Sequence, residues 1–483
     1  MSTRERIHGL LLKLQGQAWR LPAPIRRLAR RLMRRVESNV AEIELESWDT
    51  ALIRAGAGMH RQVEPPWPVS VEPGIADQAS SASPRGHCVV LTDVLDVGGV
   101  DEFAALLARR LPSAGWLVTL VKTGVPGGHL ASQLVGEGVS VQEARSPDEL
   151  SNVLRQLKPN VISAHAPSEW ALDCARVLEI PVVEVLHGAP TPLTTNWELE
   201  PRRSRKVTAF IAVSQFVRQH YLSANPGYPS GAVIPVPIGY DPATRPRVDR
   251  EQARAWLGLT TQFLFTSLGR CSAEKNTYGL VDAFASMAPS APDAHLLVAG
   301  RIDDRTYARQ VVRFIESQPD EVQARLHLRG NASAVSAVLA ASDCFVMDSF
   351  YEGWGMASVE ALAAGVPIIR SETGGALEQV GPDGERGYLV GNPIGPAGSV
   401  SWESISRSRF IEQANRDELI RAMRAAVTAR SNWAERRDTL AAESLGLFPI
   451  ADFVERHAEI LTHATAHPTS VEFASTRASE GTV

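Results

Sequence analysis

The order of apolar runs is what most restricts this chain. Between residues 87 and 239 the runs HCVVLTDV, WLVTLVKTG, PNVISAHA, PVVEVLHG, KVTAFIAVS and GAVIPVPIG are short and largely apolar. Between several of them lie segments that read as helices, among them DVGGVDEFAALLARRLPSAG, EWALDCARVLEI and QFVRQHYLSA. A strand buried on both faces has no reason to alternate polar and apolar residues, so this pattern predicts a parallel sheet with helices on both sides. After a Pro- and Arg-rich stretch at 241–250 the pattern restarts. QFLFTSLGR, AHLLVAG, ARLHLRG, DCFVMDS and VPIIRSE read as strands, and TYGLVDAFASMA, RTYARQVVRFIESQ, SAVSAVLAAS and GMASVEALAAG as helices. A single core rarely serves more than about 250–300 residues, and this chain has 483. The prediction is therefore an α/β protein of two doubly wound domains facing each other across a cleft. Their expected limits are 87–240 and 241–445. A basic extension and linker (1–86) precedes them, a C-terminal helix (446–463) packs back toward the first domain, and a disordered tail (464–483) follows.

Bulk properties exclude several classes. The net charge of −5 is not that of a nucleic-acid binder, and no nucleic-acid partner is expected. Cys88, Cys174, Cys271 and Cys344 are far apart with no CxxC pair, which argues against a disulfide framework or a zinc site and fits a reducing compartment. No run of about 18 apolar residues predicts a transmembrane helix, and GLLLKLQG is too short for a signal peptide. A cytoplasmic location follows. The exception to this average texture is residues 1–40. In IRRLARRLMRRV, Ile25, Leu28, Leu32 and Val36 form one stripe flanked by six arginines. Such a helix can lie on an anionic membrane surface, so a peripheral position at the inner face of the cytoplasmic membrane is open. It can equally dock on protein.

Four constellations carry chemistry. SLGRCSAEKN ends a strand and sends out Arg270 and Lys275, a fork and a point charge suited to a diphosphate. Pairing of both with acids such as Glu274 is the plainer reading. FYEGWGMASVEALAAGVP places Gly353 and Gly355 before a helix that starts near Met356 and Ala357, where free N–H groups can meet an anion. Glu352 precedes that helix and Glu360 lies inside it, so each would grip a different part of one ligand. Alternatively Glu352 caps the helix and Glu360 is a satisfied buried acid. DVGGVDEF offers Gly98 and Gly99 at a strand–helix turn, and His165 and His187 end strands.

Taken together, GR-x4-KN, EGxG-x4-E-A-x3-G-x-P and TGGALEQV resemble the GT4-type retaining glycosyltransferases of the GT-B fold, with the Glu352-to-Glu360 spacing similar to that family's E-x7-E signature. The resemblance covers roughly residues 87–463 and is strongest from 265 to 392. It implies that Arg270 and Lys275 bind the diphosphate of a nucleotide-sugar and that Glu360 holds its ribose. Glu352 and the backbone around Gly353, Gly355, Met356 and Ala357 would contact sugar and phosphates. His187 would reach the donor sugar, Gly98 and Gly99 would approach donor and acceptor, and the base would sit near Arg329, Gly330 and Asn331. The run Pro237-Ile238-Gly239-Tyr240-Asp241 departs from the family's usual Asn-Gly-Val-Asp after the linker strand.

The expected reaction is sugar transfer from a UDP- or GDP-linked donor to an acceptor hydroxyl with retention of configuration. The catalytic set would be Glu352, His187, Arg270 and Lys275. Arg270, Lys275 and the helix N-terminus would stabilise the departing nucleoside diphosphate. No DxD pair ends a strand before the cleft, so no metal and no bound cofactor is expected. The basic N-terminus suggests a glycan or glycolipid acceptor in cell-envelope polysaccharide or lipopolysaccharide synthesis. Two other classes compete: a glycoside hydrolase with Glu352 and Glu360 as its acid and nucleophile, and a non-catalytic nucleotide-sugar-binding scaffold. An oxidoreductase is disfavoured because no GxGxxG follows the first strand.

Overall fold

The structure is a computed structural model. It describes residues 43–48, 50–53, 84–96, 98–124, 128–188, 193, 195–244, 247–396 and 400–468. The arginine-rich stripe and most of the expected tail lie outside the described residues. Two compact units form, and each is built around one wholly parallel sheet.

The first unit contains β1 (Gly86–Thr92), β2 (Trp116–Lys122), β3 (Ser140–Glu143), β4 (Val161–His165), β5 (Val182–Leu186), β6 (Ala209–Ala212) and β7 (Val233–Pro235). They are ordered β3-β2-β1-β4-β5-β6-β7. Its principal helices are α1 (Gly99–Arg110), α2 (His129–Gly136), α3 (Pro147–Leu157), α4 (Glu169–Val177) and α5 (Gln215–Ala224). Two of these start on side-chain caps: Ser146 accepts from the Glu149 amide and Ser214 from the Val217 amide.

The second unit contains β8 (Phe263–Leu268), β9 (Ala294–Ala299), β10 (Leu326–Arg329), β11 (Cys344–Met347), β12 (Ile368–Ser371) and β13 (Gly387–Val390), ordered β10-β9-β8-β11-β12-β13. Here α6 (Thr277–Met287), α7 (Arg305–Glu316), α8 (Val335–Ala341), α9 (Met356–Ala363), α10 (Ala376–Val380) and α11 (Arg416–Thr428) are the helices that matter below. Alternate residues of β8 feed two separate apolar clusters. Phe263 and Phe265 pack into one with Val298, Val346 and Ile369; Leu264 packs into the other with Leu297 and Val338. Burial on both faces is why these strands read as continuous apolar runs.

After β13 and α11 the chain returns to the first unit. The Tyr240 amide donates to the Phe448 carbonyl at 2.8 Å, and α12 (Ile450–Ala466) packs Phe453 and His457 against Phe103. The helix runs past residue 463, where the tail was expected to begin. Residues 43–53 also differ from expectation. They are no linker but a strap on the second unit: Glu46 bridges Arg329 in parallel fashion beside β10, and Leu52 is buried with Leu257 and Leu264.

In each sheet the strand order reverses once, at β1/β4 and at β8/β11. The loops leaving the carboxyl ends of these strands frame a crevice, which is where open α/β sheets take ligands. In the second unit these loops hold Arg270 and Glu352. In the first the β1 loop holds Gly98 and Gly99, and His165 closes β4.

Candidate active site

In the second unit the chain leaves β8 through Gly269 and presents Arg270, whose side chain is 44% exposed. Its guanidinium pairs with Glu274 at 2.8 Å and with Asp303 at 2.5 Å, so the plainer reading of this arginine describes the ligand-free chain. A single 3₁₀ turn, Ala273–Lys275, then delivers Lys275. Asn276 follows in the left-handed region at φ 55°, uncommon for a residue with a side chain, and opens α6. Three hydrogen bonds to two side chains hold it there. Its amide nitrogen donates to Asp348 at 2.8 Å and to Gln413 at 2.6 Å, and Gln413 donates back at 2.5 Å. Asp348 also accepts from Asn415 at 2.7 Å. Complete burial pushes the Asp348 carboxyl up to about 7, its two amide donors only partly opposing the rise.

Lys275 lands on Glu352. The two form an ion pair, and Ser349 adds a hydroxyl donor to the same carboxylate at 2.9 Å. Burial alone would raise the Glu352 pKa; the charges of Lys275 and Arg370, with the Lys275 and Ser349 hydrogen bonds, more than offset that and hold it below the usual value. Glu352 is therefore an ionised acid and not a helix cap. The residue that opens α9 is Gly355, which has no side chain to cap with.

One glycine of this loop, Gly355, and Gly374 packed against the loop serve the protein itself. Gly355 sits at φ +86°, and a β-carbon there would lie 2.7 Å from an Arg370 nitrogen and 3.0 Å from the Met347 sulfur. The Gly353 carbonyl would lie 2.5 Å from a β-carbon on Gly374. Arg370, on β12, is wholly buried directly beneath this turn. Glu360 corrects an expectation: it lies just over one turn into α9 and is half-buried, not fully buried. A half-exposed carboxylate at that position can meet a ligand hydroxyl.

Arg329 is a second correction. Its side chain is 0% exposed and turns into the strap. It donates to Glu46 at 3.2 Å and to the Thr50 carbonyl at 2.7 Å, and its guanidinium carbon lies 5.1 Å from the centre of the Trp48 ring. Trp48 in turn donates to the Gly330 carbonyl at 3.2 Å and stacks on Trp256. The Arg329 side chain is thus unavailable to a base in this arrangement. Of the three residues predicted there, Asn331 is exposed and Gly330 half-buried.

In the first unit the histidines form an uncharged cluster. His165 ends β4 wholly buried and so cannot itself touch a ligand. Its Nδ1 lies 2.9 Å from Nε2 of His187, which follows β5 and is partly buried. Phe103 of α1 packs on both rings, and His457 of α12 packs on Phe103. Burial drives all three imidazoles toward the neutral form: His187 falls to about 3, His457 to about 4, and His165 falls well below its usual value. Gly98 has extended backbone, and Gly99 begins α1. A β-carbon on Gly99 would meet nothing within 4 Å, and one on Gly98 only Asp101 at 3.5 Å. Neither conformation nor packing demands these glycines; what they leave is open space at the strand–helix turn.

The structure thus gathers Arg270, Lys275, Glu352, Gly353, Gly355, Met356, Ala357 and Glu360 around the ends of β8 and β11, with Gly98, Gly99 and His187 at the matching ends in the other unit. Sequence reasoning missed Asn276 as a shaped corner, Asp348 as its anchor, Arg370 as the floor, and His457. The first two were visible as an Asn after Lys275 and an acid ending an apolar strand. Arg370 was visible as a charge inside VPIIRSE. His457 gave no signal within its helix.

Two wholly parallel α/β sheets of this kind make a GT-B fold. Comparison with known proteins is specific about the family. The family model described as glycosyl transferases group 1 matches residues 249–397, and glycosyltransferase family 4 matches residues 97–244. The chain is a family 4 glycosyltransferase. It is 27% identical over 327 residues to a phosphatidyl-myo-inositol mannosyltransferase of Mycobacterium leprae, covering 63% of this chain and 82% of that one. A D-inositol 3-phosphate glycosyltransferase of an Arthrobacter species is 24% identical over 372 residues, or 68% and 85% of the two chains. The lipopolysaccharide core mannosyltransferase LpsB of Rhizobium meliloti is 30% identical over 154 residues, or 30% and 42%. Among solved structures, HepE of Anabaena, in complex with UDP-glucose, superposes with a TM-score of 0.63 at 19% identity, covering 78% of this chain and all of that one. At that identity the likeness establishes the fold.

Proposed function

We propose that this glycosyltransferase moves a hexosyl group from a UDP- or GDP-linked sugar to a hydroxyl of a glycolipid or cell-envelope glycan, with retention of configuration and without a metal. The observation that carries this reading is the cluster of Lys275, Arg270, ionised Glu352 and the α9 N-terminus at the strand-order reversal of the second unit. Cleavage of the donor leaves negative charge on a diphosphate. Arg270 and Lys275, each neutralised by carboxylates in the ligand-free chain, exchange those partners for phosphate oxygens. The N–H groups of Met356 and Ala357, free of intrahelical partners in the first turn of α9, add two fixed donors. This does the work a divalent cation does elsewhere. No group of three or more His, Cys, Asp or Glu able to hold a metal occurs among the described residues.

Glu360, half-exposed on α9, takes the ribose hydroxyls. Glu352 accepts from a sugar hydroxyl once Lys275 turns to phosphate. His187, held neutral, can accept from or donate to a sugar hydroxyl without adding charge. The leaving phosphate removes the acceptor proton on the face it departs from, so no enzyme nucleophile is assigned. The hydrolase alternative loses its proton donor, because a general acid needs a raised pKa and Glu352 has a lowered one. Relatives named for phosphatidylinositol and lipopolysaccharide substrates support a lipid-borne acceptor. The basic segment 1–40, outside the described residues, is the part that would meet an anionic membrane. No described helix is long and apolar enough to cross one.

A panel of UDP- and GDP-sugars, followed by nucleoside diphosphate release with and without a chelator, tests the reading. Release from at least one donor, unchanged by chelation, is expected. Chelator-abolished release would overturn metal independence, and an inverted anomer in the product spectrum would overturn retention. Flotation with anionic vesicles tests the membrane role: the full chain should bind, and a chain lacking residues 1–40 should not.

A further inference from the structure

Arg370 is a buried cation with no carboxylate within ion-pair distance among the described residues. It is 0% exposed. One terminal nitrogen donates to the Trp354 carbonyl at 3.0 Å, to the Ser358 hydroxyl at 2.9 Å and to the Gln379 side-chain oxygen. The other donates to the Thr373 carbonyl at 3.2 Å, and Nε has no partner. Every acceptor is neutral. A guanidinium buried in this way is costly unless something else compensates its charge.

What surrounds Arg370 is the turn that opens α9. The Trp354 carbonyl receives a second hydrogen bond from Gln379 at 2.8 Å, and Ser358 donates to the Gly355 carbonyl at 2.6 Å. Arg370 is the hub of this net. It fixes the carbonyls on both sides of the left-handed step at Gly355, which aims the first N–H groups of the helix. No β-carbon fits between that step and the guanidinium.

The charges do not balance locally. Glu352 is the first acid felt by Arg370, with Glu378 beyond it. But Glu352 already has Lys275 as its ion-pair partner. Lys275 and Arg370 thus share Glu352 as nearest acid, and Arg370 keeps no carboxylate of its own within ion-pair distance beneath the helix N-terminus. Burial lowers the Arg370 pKa to about 10, so the group is charged at neutral pH.

We propose that Arg370 is a positioning residue of the donor site: it clamps the turn that presents the α9 N–H groups, and its carboxylate-free charge from below favours the terminal phosphate of a nucleoside diphosphate. This rests on the nucleotide-sugar reading above. Arg370 itself touches no substrate. It acts through the Gly355 turn and through the field at the phosphate position, where low-dielectric surroundings keep its charge effective.

The test is the affinity ratio of diphosphate to monophosphate, measured by calorimetry with UDP, GDP, UMP and GMP on the full chain. Arg370→Gln keeps hydrogen-bonding capacity and removes the charge. It is expected to weaken the preferred diphosphate about tenfold and its monophosphate threefold or less. Arg370→Lys restores the charge without the fork and should keep the wild-type ratio within about threefold. Equal weakening of both nucleotides by Arg370→Gln, or no weakening, overturns the proposal. So does an Arg370→Lys protein that melts like wild type yet loses the ratio. If Arg370→Gln does not fold, the ratio in Arg370→Lys decides alone, retention supporting and loss overturning. Failure of the wild-type chain to bind either diphosphate would instead remove the nucleotide-sugar reading itself.

Discussion

The two units end their central strands with opposite chemistry. The second unit surrounds its crevice with ions: Arg270, Lys275 and Arg370 against Glu274, Asp303 and Glu352. The first places neutral histidines and two unobstructed glycines there, His165 on His187 with Phe103 between them and His457. The same parallel sheet underlies both, so architecture does not set this difference. In the proposed function, what each site must meet does. A departing diphosphate calls for fixed positive charge, whereas sugar hydroxyls need donors and acceptors without net charge.

The largest way to break this comparison is to remove its charge. Lys275→Ala should lower kcat/KM by about 10²–10³, the range found when one preorganised transition-state donor is lost. Arg270→Ala should follow at about 10²; steady-state nucleoside diphosphate release checks both. If either variant kept wild-type turnover, the second unit would not carry the leaving-group chemistry. Glu352→Gln is expected to cost about 10-fold to 100-fold in kcat and less in KM, because the carboxylate partners Lys275 and, in the proposed function, orients the sugar. His187→Ala should cost about tenfold, with Phe103 and His165 left in place.

Acid acts with opposite sign on the groups nearest the two strand ends. In the first unit, burial lowers the His187 pKa from 6.5 to about 3 and the His457 pKa to about 4. Between those values and 6.5 the unfolded chain binds more protons, so the first unit loses stability as pH falls through that window. In the second unit Asp348 is raised from 3.8 to about 7. There the folded chain binds the extra proton, so this group adds stability as pH falls from 7 toward 3.8, against an opposite contribution from His295 on β9, lowered by burial to about 4. Each proton is worth up to ~1.4 kcal/mol per pH unit. Glu352, with its lowered pKa, joins only below 4.5, where its contribution is lost on further acidification. Amide exchange at pH 7 and pH 5 should therefore show β4, β5 and α12 losing protection relative to β8 and β11. The same shift in both units would contradict the contrast.

The smallest expected effect lies in the strap. Trp48→Ala removes a stacked ring and a hydrogen bond to the Gly330 carbonyl, at a cost of about 1–3 kcal/mol of second-unit stability. Nucleotide affinity should change less than threefold, given that Trp48 reaches only the edge of the β10 loop. A larger loss would make the strap part of the base site.

The contrast also explains what the sequence reveals. Central strands such as PVVEVLHG and DCFVMDS stand out because both faces are buried. The edge strands β3 (SVQE) and β13 (GYLV) do not, because each is short and partly exposed, with no continuous buried run. Lys275, Arg270 and Glu352 stand in a recognisable spacing. Asp348 and Arg370 do not, since each acts on a neighbour brought close only by folding. The strap was illegible for the same reason: Glu46 meets Arg329 some 280 residues away, and nothing local to residues 43–53 marks a partner. Glu360 was misread as buried because its helix looks apolar, yet its own face is half-open.

The most direct test of the account is the affinity for UDP and GDP of Lys275→Ala beside His187→Ala, with turnover measured on the same preparations. The account predicts that both variants lose turnover but only Lys275→Ala loses nucleoside diphosphate affinity, by tenfold or more. Equal loss of affinity in His187→Ala, or full affinity in Lys275→Ala, would contradict it.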